Sequence, residues 1–90
     1  MFVAVSCELS TDDHRKVVYD LLRQYGFTRV LKTLYECTTI NDKYLARLKR
    51  DIDRATDSYD KVRFYQFPMD STLVISSLQE KKWRKLTVRP

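Results

Sequence analysis

The chain has 90 residues, 43% hydrophobic and 32% charged, with a formal net charge of +5, a composition that fits one folded domain with a modest core. No apolar run approaches the roughly 20 residues of a membrane-spanning helix, and a single glycine excludes a Gly-rich phosphate loop. Cys7 and Cys37 stand far apart with no partner set for zinc, so two reduced, buried thiols of a cytoplasmic protein are expected.

Residues 1–8 are apolar and β-branched and predict a first strand, with no basic region before it to make a signal peptide. Ser10-Thr11-Asp12-Asp13 predicts a helix start: Ser10 is placed to cap a free N–H, and the acids suit the positive end of the helix dipole. Val17, Val18, Leu21, Leu22 and Tyr25 recur at helical spacing, and Gly26 stands where a left-handed stop is wanted. From Phe27 to Cys37 the pattern is extended. A second helix is predicted over 41–55, with Tyr44, Leu45, Leu48, Ile52 and Ala55 as its buried stripe. Its Lys43, Arg47, Arg50 and Arg54 form a basic stripe, for which Asp51 and Asp53 offer ion-pair partners, so a solvated face is the expectation there.

Lys61 to Phe67 and Thr72 to Ser76 predict two more strands around a Pro68-to-Ser71 turn, and Trp83 to Val88 a short last one. The order suits an α+β, ferredoxin-like βαββαβ sandwich: an antiparallel sheet, two helices on one face and an extra C-terminal strand. The domain is read as 1–78, with 79–90 a basic strand or tail that docks on a dimer partner. Strands 1 and 61–67 are apolar on both faces, and helices cover only one face of so small a sheet. A second copy of the chain is the simplest cover for the other. The alternative is the tail folding back over its own sheet.

Charge is distributed unevenly. Residues 1–80 hold twelve Lys/Arg and twelve Asp/Glu, so the excess sits in Lys81, Lys82, Arg84, Lys85 and Arg89. Such a cluster attracts polyanions by counterion release, without sequence preference. Trp83, Leu86 and Val88 give this tail something to pack. His14 is the only histidine, and no triad spacing accompanies it. Glu8, an acid ending an apolar strand, is the candidate catalytic and metal-binding residue. Carboxylates suit Mg2+ or Mn2+, but one per chain makes a poor site, and two copies would be needed to build one.

Four steps in order carry a resemblance: Glu8-Leu9-Ser10 after the first strand; Arg15 with Val17 and Val18 leading to Tyr25-Gly26-Phe27; Arg29-Val30 leading to Leu34-Tyr35-Glu36; and Asp60-Lys61-Val62-Arg63-Phe64-Tyr65. Over residues 1–76 the chain resembles the CRISPR-associated protein 2 family. The resemblance implies a ferredoxin-like homodimer whose C-terminal strand crosses to the partner's sheet. It also implies bridging of two dimers of the CRISPR integrase subunit during spacer acquisition, with double-stranded DNA held along its backbone. Some members are assigned metal-dependent nuclease activity, with an aspartate at the end of the first strand.

Here that aspartate is Glu8, longer by one methylene, about 1.5 Å, which weakens the expectation of a nuclease because Mg2+ demands strict geometry. Arg15, Lys16 and Arg29, with Tyr35, are the expected phosphate contacts near it, joined by Lys81, Lys82, Arg84 and Lys85 of the tail. An architectural DNA-binding dimer is therefore the leading expectation. A metal-dependent endoribonuclease or DNase acting through paired Glu8 is second, and a module that binds only protein third.

Overall fold

The computed structural model describes residues 1–68 and 71–89. In chain order the elements are β1 (Phe2–Glu8), α1 (Asp12–Gln24), β2 (Thr28–Leu31), β3 (Leu34–Cys37), α2 (Asp42–Ala55), β4 (Lys61–Phe67), β5 (Leu73–Gln79) and β6 (Lys82–Val88). They form a six-stranded sheet in the order β2-β3-β1-β4-β5-β6, and every neighbouring pair is antiparallel. The first four strands with the two helices make the ferredoxin-like βαββαβ unit. β5 and β6 extend its β4 edge.

Strand alternation decides which side chains meet the helices. Val3, Val5 and Cys7 of β1, Val62 and Phe64 of β4, and Leu78 of β5 point to the helix side, where Val18 and Leu22 of α1 and Leu45, Leu48 and Ile52 of α2 close the core. Phe64 is wholly buried, a side chain whose burial contributes about 1.5–3 kcal/mol. The expected stripes are narrower than their apolar spacing suggests, because Val17 and Tyr44 are exposed.

Local chemistry sets the helix ends. The Oγ of Thr11, not of Ser10, accepts from the N–H of His14 at 3.1 Å and caps α1. Ser10 is turned instead toward Asp60. Gly26 has φ of +89°, and the N–H of Phe27 reaches the carbonyl of Leu22 at 2.9 Å, which ends the helix as a left-handed stop does. Asn41 caps α2 through the N–H of Tyr44 at 2.9 Å.

The extended stretch from Phe27 to Cys37 is two strands, not one: Leu31 pairs with Leu34 around a turn at Lys32-Thr33. β5 runs to Gln79, three residues beyond the expected end, because the turn that follows belongs to the next hairpin. In that hairpin Glu80 (φ 55°) and Lys81 (φ 61°) both take left-handed backbone, the conformation a two-residue hairpin turn requires. In the single chain β6 thus returns to its own sheet, pairing with β5 from Leu73–Val88 to Gln79–Lys82.

Candidate nucleic-acid interface

The sheet face away from the helices is uncovered in the single chain, and its cross-strand register sorts it into two ends. At one end Ala4, Tyr65, Ile75 and Leu86 lie in a row across β1, β4, β5 and β6. Phe2 there faces Phe67, and Leu73 faces Val88. At the other end run Ser6, Arg63, Ser77 and Arg84, then Glu8, Lys61, Gln79 and Lys82. Phe67, Leu86 and Val88 are 45%, 55% and 43% exposed, large apolar groups gathered on one side. Arg63 is oriented by Ser77, whose Oγ accepts from its Nε at 3.1 Å, and by the ring of Tyr65, 5.6 Å away.

Glu8 sits at the polar end, exposed, opposite Lys61. Among the described residues it closes no ion pair. It lines an open cleft of about 690 Å³ with Arg15, Tyr19, Lys32 and Tyr59. The other acid in the cleft, Asp12, is paired with Arg15, whose guanidinium beside it holds its carboxyl below the usual range. Among the described residues that line this cleft, a divalent ion at Glu8 therefore finds no second unpaired carboxylate, and the donor set there fits only if another copy supplies one. Cys7, behind the cleft, is buried, and burial pushes its thiol up to about 12.

The other expected contacts divide. Arg15 donates from Nη1 to the carbonyl of Leu9 at 2.7 Å, so its guanidinium is fixed in place. Lys16 is exposed on α1, and Arg29 is exposed on β2 with its guanidinium 5.8 Å from the Tyr19 ring centre. Tyr35 is not a phosphate contact. It is fully buried, its ring 5.1 Å from that of Tyr19, and burial raises its hydroxyl pKa.

The tail divides as well. Lys81 is bonded to the carboxylate and carbonyl of Asp53 and to the Thr56 carbonyl at 3.2 Å, so it is an anchor rather than a free cation. Trp83 docks on its own chain: Nε1 donates to Asp53 at 2.8 Å and its ring lies 6.0 Å from Phe64. Leu86 and Val88 lie on the open face instead. Lys82, Arg84 and Lys85 are exposed and make no ion pair among the described residues.

Asp60 is the residue that sequence reading missed as a participant in the site's architecture. It is 1% exposed. Oδ1 accepts from the N–H and hydroxyl of Ser10 at 2.7 and 2.9 Å, Oδ2 from the N–H of Asp57 at 2.9 Å. Nδ1 of His14 lies 2.7 Å from that second oxygen. Burial pushes its pKa up, but the hydrogen bonds from Ser10 and Asp57 and the nearby His14 outweigh it and hold the carboxyl below its ordinary value. This one carboxylate ties the start of β4 to the β1–α1 junction that carries Glu8. The signal available in sequence was an acid immediately before an alternating strand.

These elements define a ferredoxin-like α+β protein whose sheet face away from the helices is uncovered in the single chain, apolar at one end and basic at the other. A family model described as CRISPR associated protein Cas2 matches residues 1–86. The chain belongs to that family, which gives it a CRISPR-associated role. Its structure is similar to the crystal structure of a hypothetical protein, TT1823, from Thermus thermophilus, with a TM-score of 0.67 and 29% identity over 76% of this chain and 82% of that one. No curated protein matches. No helix among the described residues is long and apolar enough to cross a membrane.

Proposed function

We propose that the protein is an architectural subunit of CRISPR spacer acquisition: a homodimer that binds double-stranded DNA along its backbone and bridges integrase subunits. The observation that carries this reading is the open sheet face. Its apolar end gathers the exposed Phe67, Leu86 and Val88, the character of a surface that another chain covers, and a second copy brings an identical patch to meet it. Its basic end, with Arg63, Lys82 and Arg84, offers cations to phosphates. Lys16, Arg29 and Lys85 add exposed positive charge elsewhere on the surface.

A second reading is a metal-dependent endonuclease in which Glu8 from each of two chains holds Mg2+ or Mn2+. It is favoured by Glu8 standing exposed and unpaired at the end of β1. One experiment separates the two. Purified protein is incubated with duplex DNA and single-stranded RNA in Mg2+ or Mn2+, as wild type, Glu8→Ala and Glu8→Asp. The architectural reading expects no cleavage by wild type and undiminished duplex binding by Glu8→Ala. Cleavage by wild type that vanishes in Glu8→Ala makes the enzyme reading primary.

A further inference from the structure

Three of the four cations in the basic stripe of α2 lack the acids that sequence spacing offered them. Lys43, Arg47, Arg50 and Arg54 are all exposed and, at about 100° per residue, fall within a band about 60° wide opposite the buried Leu45–Leu48–Ile52 face. Asp53, one expected partner, is taken by Lys81 and Trp83 of the C-terminal hairpin. Asp51, the other, accepts from the Tyr25 hydroxyl at 2.7 Å and reaches only Arg54, at 3.9 Å. Asp42 lies in the first turn on the Lys49 side. Lys43, Arg47 and Arg50 are thus left without a carboxylate among the described residues.

The same hairpin adds to the excess. Lys85 and Arg84 border the groove that also holds Lys49 and Arg50. Lys49 is half-buried, its Nζ bonded to Ser76 at 3.1 Å; burial first and the Lys85 charge second lower its pKa. The one carboxylate lining that groove, Asp53, is already held by Lys81 and Trp83, so the cations there remain in excess, and such an excess attracts a polyanion.

From this unbalanced stripe we infer that the outer face of α2, with Lys43, Arg47 and Arg50 at its centre and Lys85 beside it, is a second docking surface for the sugar–phosphate backbone of duplex DNA. The inference rests on the DNA-binding reading above and adds to it a surface on the opposite side of the sheet. From Lys43 to Arg50 the helix rises roughly 10 Å. That length is close to a major groove about 12 Å wide, on a duplex with one phosphate charge per about 1.7 Å of axis. No sequence preference is expected, since phosphate contacts position and do not specify.

The test is a fluorescence-anisotropy titration of a labelled mixed-sequence duplex between about 50 and about 200 mM salt, a range over which phosphate contacts show clearly. Wild type is compared with the triple variant Lys43→Gln/Arg47→Gln/Arg50→Gln and with a tail variant, Lys82→Gln/Arg84→Gln. Three lost phosphate contacts reduce the log K against log salt slope by about 2.7 and weaken binding at about 0.15 M on the order of a hundredfold. Arg47→Lys/Arg50→Lys keeps the charge and keeps most of the affinity. All changed positions are exposed, so thermal melting should match wild type and exclude misfolding as the cause. Wild-type affinity and slope in the triple variant, with binding lost in the tail variant, overturns this inference and leaves the DNA-binding reading standing. Absence of duplex binding by wild type even at low salt overturns both.

Discussion

Lys81 and Asp53 form the ion pair that fastens the C-terminal hairpin to α2. Its cation also caps the end of that helix, meeting the carbonyls of Asp53 and Thr56, while the indole of Trp83 takes the other carboxylate oxygen. Two tail residues and one helix residue thus decide where β6 lies. Asp53→Asn should free the hairpin without unfolding the βαββαβ unit, seen as faster amide exchange in residues 82–88 with little change in β1 and β4. The Lys81 and Trp83 hydrogen bonds depress the Asp53 pKa. A depressed carboxylate contributes stability above its unfolded pKa that fades as pH falls through its folded value. The melting difference between wild type and Asp53→Asn should accordingly shrink in acid, below about pH 4; a difference constant with pH would contradict the pairing.

Asp60 should be the costliest single polar substitution. Asp60→Ala strands the buried donors of Ser10 and Asp57 and is expected to destabilise by on the order of 3 kcal/mol. Its pKa is also depressed, so its contribution too is present at neutral pH and lost as pH falls through the folded value. Denaturant unfolding at neutral pH and in acid measures both effects. A loss under about 0.5 kcal/mol, the scale of an ordinary surface change, would show that Asp60 is not the tie described.

The left-handed turn of Glu80 and Lys81 offers a gain rather than a loss. Glutamate tolerates φ of 55° poorly, whereas asparagine is several-fold enriched in that region. Glu80→Asn should stabilise by on the order of 1 kcal/mol, a few degrees in melting temperature for a domain of this size. A lower melting temperature would mean the turn takes another form in solution.

Dimerisation is checked on the open face. Leu86 is 55% exposed in the single chain and sits in the apolar row beside Ile75 and Tyr65. Leu86→Asp should shift the protein from dimer to monomer in light-scattering-detected gel filtration at micromolar concentration, with circular dichroism unchanged. Persistence of the dimer would place the interface elsewhere.

What could be read from sequence follows the range of the interactions involved. β4 was legible residue by residue, because Lys61 to Phe67 alternates at the period of a strand. The β2–β3 hairpin was not, because its turn is Lys32-Thr33 and carries no glycine or asparagine. Glu8 was correctly placed as the exposed acid at the end of β1. Lys81, by contrast, looked like a free cation, and Trp83 was expected to pack with no partner named, since the acid that holds them lies 28 and 30 positions earlier in the chain. Asp60 reaches 50 positions back to Ser10. Periodicity reports neighbours on one element; these contacts exist only once the sheet has brought distant segments together.

The sheet order leaves β2 and β6 at its two edges, each with one row of backbone N–H and C=O groups open to any strand that approaches. Along β6 the exposed residues include Lys82, Arg84 and Lys85, and charged side chains on an edge strand oppose its zippering to another edge. These cations therefore oppose self-association of the protein into fibrous or amorphous aggregates. Two molecules that meet β6 to β6 confront positive charge with positive charge, and DNA laid over those cations lowers that barrier. Aggregation should consequently be most pronounced when the tail is neutralised, by mutation or by substoichiometric polyanion, and least pronounced for the bare protein at low ionic strength.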